Sequence, residues 1–343
     1  MIDFDMAPSP DAQAIILICS SLGASRGGAE VVKPFGPRTW AKLRAAMERA
    51  ALDGPSSLFG RSATEVDGLL GLGGSESERV VGLLGRGGQL AFELDRLRSR
   101  GLWVVTQADG DVYPDRLRAR LNVDAPPVLF GAGDRSGLTR GGVAIVGSRD
   151  ADAAAEDFTR RLAAAVASGG TQLVSGGARG VDAWSMQAAF EAGGAVVGVL
   201  SEGVERPLRD PQNRTGVAEG RAILVSPYRP DASFSTGAAM ARNKLIYALS
   251  DVAVVVSSAK GSGGTWAGAL EALDARWVPV LVRDDPGMPE GNRELIRRGA
   301  SPLSSGSLPD SIDADALIAI AGTAAGLVAE DAAPYGQQSL FDD

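Results

Sequence analysis

Three glycine-rich segments follow predicted strands and could present backbone N–H groups to phosphate. They are Gly147-Ser148-Arg149, the run from Ser175 to Asp182, and the run from Gly261 to Thr265. Glycine lets another group approach the backbone closely, and the N–H groups of a helix N-terminus attract anions. Arg149 adds a cation that can hold a phosphate through two parallel hydrogen bonds. Together the three segments predict a phosphate-binding site.

A fourth segment, Met240-Ala241-Arg242-Asn243-Lys244, carries two cations and is expected at the start of a helix. Alone it is typical of a solvated helix start, but beside three such loops it is expected to form a wall of the same groove. Arg149, Arg242 and Lys244 should then hold phosphate oxygens, while amides of the glycine loops supply neutral donors. The residues expected to bind the phosphates are Gly147, Ser148, Arg149, Ser175, Gly176, Gly177, Arg179, Gly180, Arg242, Asn243, Lys244, Gly263, Gly264 and Thr265.

Other interpretations of some of these residues, and of a further glycine-rich turn, remain open. Arg179 is equally consistent with a surface ion pair to a neighbouring carboxylate. Trp184 and Trp266 could stack on bases, although tryptophans in such positions are more often part of a core. A helical hairpin predicted around Gly71-Leu72-Gly73 could also offer N–H groups to a phosphate. Because Glu76 and Glu78 follow it and would repel an anion, a purely structural turn is the favoured reading there.

The composition excludes several kinds of catalytic site. The chain has no histidine, which excludes Ser-His and Cys-His nucleophilic pairs and histidine metal sites. The single cysteine, Cys19, can form neither an internal disulfide nor a thiolate metal cluster, as is typical of a reducing compartment. We expect no metal and no cofactor, and we expect a binding protein rather than an enzyme, with a hydrolase as the alternative discussed below.

The charge pattern narrows the partners and the location. A formal net charge of −8 argues against a broad duplex-coating surface, although a local arginine groove could still bind nucleic acid. The apolar run Ile15–Ile18 is far shorter than a membrane span. Asp3, Asp5 and Asp11 precede it, where a signal peptide would carry positive charge. The expectation is a cytoplasmic protein without a membrane partner.

The elements that must position the loops follow from apolar periodicity. Strands are predicted at 102–106, 143–146, 173–174, 195–200, 222–225, 252–256 and 278–282, and helical patterns separate most of them. This alternation predicts an α/β fold with a Rossmann-like, doubly wound and mostly parallel sheet. The expected domains are an N-terminal helical, helix-hairpin or SAM-like domain over 1–100, a connecting strand and loop segment over 101–137, the Rossmann-like domain over 138–305, and a short helix with a flexible tail over 306–343.

Over about residues 100–300 the chain resembles the DprA/Smf family of DNA-processing proteins. The matching motifs are Gly-Ser-Arg at 147–149, Ser-Gly-Gly-Ala-Arg-Gly-Val-Asp at 175–182, Arg-Asn-Lys at 242–244 and the Gly-Ser-rich loop at 261–265. The resemblance implies single-stranded DNA binding, a homodimer, and delivery of the strand to a RecA-type recombinase during natural transformation. It also implies that the first and third motifs line the DNA-binding pocket. The chain departs from the family at Trp184, where a histidine is usual, and at Arg283-Asp284, which replace Pro-Gly.

Two alternatives from other functional classes use the same pocket. The chain is also similar to the lysine-decarboxylase-like (LOG) phosphoribohydrolases, which place a catalytic glutamate soon after their Gly-Thr. Here the first carboxylate after Thr265 is Glu271, about 9 Å farther along a helix and pointing elsewhere, so the acid–base group is missing. A sensor that binds a nucleotide-derived ligand without chemistry is the other alternative, although no attached effector domain is evident.

The last residues carry a separate motif. Gln337, Ser339, Leu340 and Phe341 match the Gln-Leu-Ser-Leu-Phe peptide by which bacterial proteins bind the replication sliding clamp, with Gln338 replacing the leucine. In that mode Leu340 and Phe341 would fill an apolar pocket and Gln337 would form a hydrogen bond at its rim. The alternative is that Leu340 and Phe341 fold back onto their own domain.

Overall fold

The computed structural model describes residues 7–24 and 32–330. Its first part is helical, with α1 (Pro10–Cys19), α2 (Pro37–Arg49), α3 (Ala63–Leu70), α4 (Gly74–Leu84) and α5 (Gly87–Arg98). In α2 the buried side chains recur three and four residues apart, at Trp40, Leu43, Ala46 and Met47, so one face packs inward. The sequence prediction of helices in this region is confirmed.

The predicted hairpin is formed by α3 and α4. Ser62 and Glu65 form a capping box at the start of α3, which satisfies two otherwise unpaired backbone donors. Gly71 ends α3 in the left-handed conformation, with φ 63°, which favours glycine because it has no Cβ. The Gly73 N–H donates to the Asp67 carboxylate at 2.6 Å. The Gly73 N–H is therefore already paired with a carboxylate of the protein itself, which favours the structural interpretation of this turn.

The sheet occupies the rest of the chain. Its strands are β1 (Leu102–Thr106), β2 (Val128–Ala132), β3 (Val143–Gly147), β4 (Leu173–Ser175), β5 (Val196–Val199), β6 (Ala222–Ser226), β7 (Val252–Ser257), β8 (Val280–Arg283) and β9 (Ser301–Leu303). The helices of this part are α6 (Asp115–Leu121), α7 (Ala153–Ser168), α8 (Val181–Glu191), α9 (Pro211–Ala218), α10 (Thr236–Leu249), α11 (Gly263–Asp274), α12 (Glu290–Arg297) and α13 (Ala314–Glu330).

The nine strands lie in the order β1-β2-β6-β5-β4-β3-β7-β8-β9. The neighbouring strands from β6 through β5, β4, β3, β7 and β8 to β9 pair in parallel. The pairs β1–β2 and β2–β6 are antiparallel. The direction of winding reverses between β3 and β7, which is the topological switch point of a doubly wound sheet. The predicted fold class is confirmed.

Both faces of the sheet are buried. In β3, Val143 and Ile145 pack on one side with α7 and α8, while Ala144 and Val146 pack on the other with α10 and α11. Successive side chains of a strand point to opposite faces, so a strand covered on both sides must be apolar throughout. This explains why the central strands have uninterrupted apolar sequences.

The structure differs from the sequence prediction in three places. β2 and β9 were not predicted, and β2 with β1 extends the sheet from the segment 101–137. The short helix expected within 306–343 is longer than predicted and runs from Ala314 to Glu330, through an alanine-rich stretch that favours helix. The helix that carries Arg242 starts at Thr236, because Ser235 caps it by accepting from the Ala238 N–H.

The proposed division into four domains stays a prediction. Cys19 is half-buried at the end of α1. Across residues 7–24 and 32–330, none of the helices combines the length and the apolar character that crossing a bilayer requires.

Candidate nucleic-acid interface

A groove of about 430 Å³ lies at the switch point, between the loops that follow β3 and β7 and the side of α10. We call it the phosphate groove. Its walls include predicted site residues from three segments that are far apart in sequence: Gly147, Ser148, Arg149, Arg242, Asn243, Gly263, Gly264 and Thr265. Ligands of open parallel sheets bind at this place, at the carboxyl ends of the strands.

The N-terminus of α11 forms one wall of the phosphate groove. Gly263, at the first position of this 12-residue helix, has φ 85°, a conformation that side chains rarely adopt. Asn243 Nδ2 donates to the Gly264 carbonyl oxygen at 3.0 Å and fixes the loop against α10. The first N–H groups of a helix have no intrahelical acceptor, and the helix dipole adds partial positive charge there. This wall is therefore suited to an anion.

The opposite wall is the turn after β3. The Ser148 N–H donates to the Ser257 carbonyl oxygen at 2.9 Å, which fixes the turn against β7. The Arg149 side chain is exposed, and its guanidinium lies 5.7 Å from the ring centroid of Phe234. Arg149 is thus an accessible cation at the mouth of the groove.

A buried carboxylate lies beside backbone amides that the sequence assigned to phosphate. The Asp182 carboxylate, at the start of α8, is stabilised by Arg242 and by the backbone N–H groups of Ala178, Gly147 and Gly176. Its burial raises its pKa to about 6, against the effect of Arg242 and of those N–H groups. These amides therefore face a carboxylate of the protein itself.

Arg242 is the counter-charge of Asp182. Its side chain is 3% exposed, and burial lowers its pKa while Asp182 opposes that shift. A Cβ at Gly176 would lie 1.8 Å from Arg242 Nη1 and 2.5 Å from Asp182 Oδ2, so both charged groups reach this glycine. Gly176 is required by this packing. Within the described part of the chain, Arg242 Nε and Nη1 have no hydrogen-bond partner.

Lys244 lies outside the phosphate groove. Its Nζ is 3.5 Å from Asp124 Oδ2, and Asp124 also binds Arg38 with an Nε–Oδ1 distance of 2.7 Å. Arg38 and, after it, Lys244 hold the pKa of the Asp124 carboxyl below its ordinary value. Lys244 borders a different cavity, between α10 and residues 35–39, and its ion pair joins α10 to the segment between α6 and β2.

The remaining predicted residues have structural contacts or lie at the edge. The Ser175 hydroxyl is buried and donates to the Ile145 carbonyl oxygen at 2.7 Å. Gly180 has φ 84°, and a Cβ there would lie 2.5 Å from the Ser148 carbonyl oxygen. Arg179 forms an exposed ion pair with Asp150, and with Gly177 it borders a neighbouring cavity. The ion-pair reading of Arg179 is confirmed.

The sequence assigned no role to four residues at this site. Asp182 and Tyr247 line the groove and are buried, while Phe234 and Met240 are apolar side chains that are 44% and 56% exposed. Asp182 closes a glycine-rich loop at a helix N-terminus, a signal that could have marked it. Tyr247 lies four residues after Asn243 on the same helix face. Exposure of Phe234 and Met240 has no local sequence signal.

The structure also locates residues on which the alternative interpretations of the sequence depend. Trp266 belongs to the core under the sheet and Trp184 packs against the opposite core, so both are core residues. Glu271 is exposed on α11 and does not line the phosphate groove. The carboxylate required for LOG-like hydrolysis is therefore not supplied by α11. Gln337, Leu340 and Phe341 lie outside the described residues.

Comparison with known proteins identifies relatives. Residues 103–309 match the family described as DNA recombination-mediator protein A. Protein Smf of Escherichia coli is 31% identical over 197 residues, which cover 56% of this chain and 52% of Smf. DNA processing protein DprA of Bacillus subtilis is 31% identical over 189 residues, 53% of this chain and 62% of the relative. The chain thus spans little more than half the length of the curated relatives it matches.

A solved structure shares the fold. The structure of DNA processing protein A from Streptococcus pneumoniae superposes with a TM-score of 0.58 at 21% identity. The superposition covers 79% of this chain and 96% of that one. The likeness therefore includes elements outside the sheet domain.

Proposed function

Because the chain belongs to the DNA recombination-mediator protein A family, we propose that it binds single-stranded DNA in the phosphate groove. The observation that carries this proposal is the meeting of exposed Arg149 with the N-terminus of α11 across one groove at the switch point. Phe234 and Met240 flank this groove as exposed apolar side chains. Proteins that bind single strands combine cationic grooves with apolar surfaces for the bases in this way.

The groove favours one strand over two. Its cations are few, and the chain carries a net charge of −8, so a duplex would meet repulsion outside the groove. A single strand can turn its bases toward Phe234 and Met240, whereas a duplex keeps its bases paired and stacked inside. The proposed role is that of a binding protein, with no catalytic step.

Binding to labelled oligo-dT and to a duplex of equal length tests this proposal. We expect tighter binding of oligo-dT, with the logarithm of the association constant falling by about 0.7 per neutralised phosphate for each tenfold rise in salt. Fluorescence anisotropy at several salt concentrations measures both quantities. Equal affinity for the two DNAs, or no binding, would contradict the proposal.

The further steps are also proposals. A mediator of recombination would pass its strand to a RecA-type recombinase, and the resemblance to the DprA/Smf family implies a homodimer that acts in natural transformation. Sedimentation of the full chain tests the homodimer. Recombinase filament formation on strands coated by a single-strand-binding protein, with and without this chain, tests the delivery.

The motif at Gln337, Leu340 and Phe341 supports a proposal of its own, that the chain binds the replication sliding clamp. A peptide spanning 334–343 is expected to bind the clamp of the same host with micromolar affinity, because two apolar side chains would fill one pocket. Leu340→Ala with Phe341→Ala should abolish clamp binding by the full chain at an unchanged melting temperature. A lowered melting temperature without clamp binding would instead indicate that these residues pack on their own domain.

A further inference from the structure

A second cavity, of about 600 Å³, adjoins the phosphate groove on the side of β4 and β5. We call it the α8–α9 cavity, because the exposed face of α8 and the start of α9 form two of its walls. The third wall comes from the loop after β5, at Leu200, Ser201 and Glu202. Its volume is within the range of pockets that bind small organic ligands.

The two sites share one side chain. Arg149 borders both the phosphate groove and the α8–α9 cavity. Phe234, which borders the α8–α9 cavity as well, lies beneath the Arg149 guanidinium and is 44% exposed. A cation and an exposed aromatic ring therefore stand together where one site passes into the other.

The α8–α9 cavity combines an apolar wall with charged groups that are paired within the protein. Its apolar wall is formed by Met186, Phe190 and Leu200. Arg206 and Arg179 also line it, and they form ion pairs with Glu202 and Asp150 respectively. The Asp210 carboxylate caps α9 by accepting from the N–H groups of residues 212 and 213. Carboxylates such as those of Glu202 and Asp210 can also accept hydrogen bonds from the exocyclic amino groups of bases. A flat, partly polar base therefore fits this lining.

We propose that the α8–α9 cavity takes a nucleobase from a nucleotide whose phosphate Arg149 holds, with Phe234 stacking at its entrance. This inference rests on the proposed function and adds the part of the strand that the phosphate groove leaves out. A nucleotide joins one phosphate to one base, so a phosphate on Arg149 leaves that base within reach of a cavity that starts at the same side chain. The base can belong to a DNA strand or to a free nucleotide.

Filling the cavity tests the proposal. Ala183 is exposed on α8 and lies in the wall of the cavity, so Ala183→Trp adds bulk there without entering the core. Ala218, exposed at the end of α9, is not part of that wall, and Ala218→Trp is the matched control for an added surface tryptophan. The probes are oligo-dC, an oligomer of equal length whose deoxyriboses carry no base, and the mononucleotide dCMP.

We expect the wild-type chain to bind the base-free oligomer about tenfold more weakly than oligo-dC, because one stacked base contributes on that order. Ala183→Trp should weaken oligo-dC binding about tenfold and leave binding of the base-free oligomer unchanged. Ala218→Trp should match the wild type on both oligomers. Binding of dCMP that Ala183→Trp removes would support the cavity and identify a free nucleotide as the ligand. Absence of dCMP binding, beside the base effect, would identify the strand.

Two results would overturn the proposal. One is equal binding of the two oligomers by the wild-type chain. The other is a preference of Ala183→Trp for oligo-dC over the base-free oligomer that is as large as the preference of the wild type. Both outcomes differ from a failure of the proposed function, in which the wild-type chain would bind neither oligomer.

Discussion

Replacing Arg242 by methionine is expected to lower the free energy of unfolding by about 3–5 kcal/mol at pH 7. Methionine retains most of the apolar volume of the arginine, so the main change is loss of the charge. Asp182 would then be a buried carboxylate without its counter-charge, since only 7% of its surface is exposed. Urea unfolding followed by circular dichroism measures the loss.

The loss should shrink as the pH falls. The pKa of Asp182 is raised to about 6 in the folded protein, above its ordinary value, so the folded state takes up a proton more readily than the unfolded state. The stability that the folded state gains from the proton on Asp182 is present at pH 4 and is lost as the pH rises through 6. Without Arg242 that pKa rises further, so at pH 5 the variant holds a neutral Asp182 and loses less stability.

An arginine outside this pair provides the control. Arg214 is exposed on α9, and Arg214→Met is expected to change stability by less than about 0.5 kcal/mol at either pH. If Arg242→Met loses the same free energy at pH 5 and at pH 7, the cost comes from packing, and the assigned charge pairing with Asp182 is wrong.

Replacing Arg149 by alanine should weaken oligo-dT binding by about 1.5–3 kcal/mol, the usual contribution of a hydrogen bond to a charged group. Arg149 is the accessible cation of the phosphate groove. Its side chain is exposed and contacts the ring of Phe234 at the surface, so its removal should leave the fold intact. The salt dependence should fall by about 0.7, one phosphate contact on a single strand. Anisotropy titrations at several salt concentrations measure both changes.

Lys244 is the matched comparison for Arg149. The sequence assigned both residues to phosphate, but Lys244 binds Asp124 in a different cavity. We therefore expect Lys244→Ala to change oligo-dT affinity by less than about 0.5 kcal/mol, because Lys244 is paired with Asp124, does not line the phosphate groove, and has its remaining charge screened by salt. An equal loss in both variants would show that the strand also crosses the α10 face that carries Lys244.

The sequence by itself determined the sheet and the places where a ligand could bind. The stretches 143–146 and 252–256 are apolar at every position, which only a sheet covered on both faces requires. Once the strands are parallel, the loops after them must meet at one edge. The convergence of Gly147-Ser148-Arg149 with the loop at 261–265 was predictable for that reason.

Only the tertiary structure decided which side chains share the groove. Successive residues of a helix point about 100° apart, so Arg242, Asn243 and Lys244 face the buried Asp182, Gly264 of α11 and Asp124 respectively. Their directions depend on how α10 is rotated against the sheet, and packing against distant elements sets that rotation. The position of Asp182 beside the glycine amides, and the cavity between Arg149 and α8, likewise depend on contacts between residues far apart in the chain. Local periodicity carries no record of such contacts.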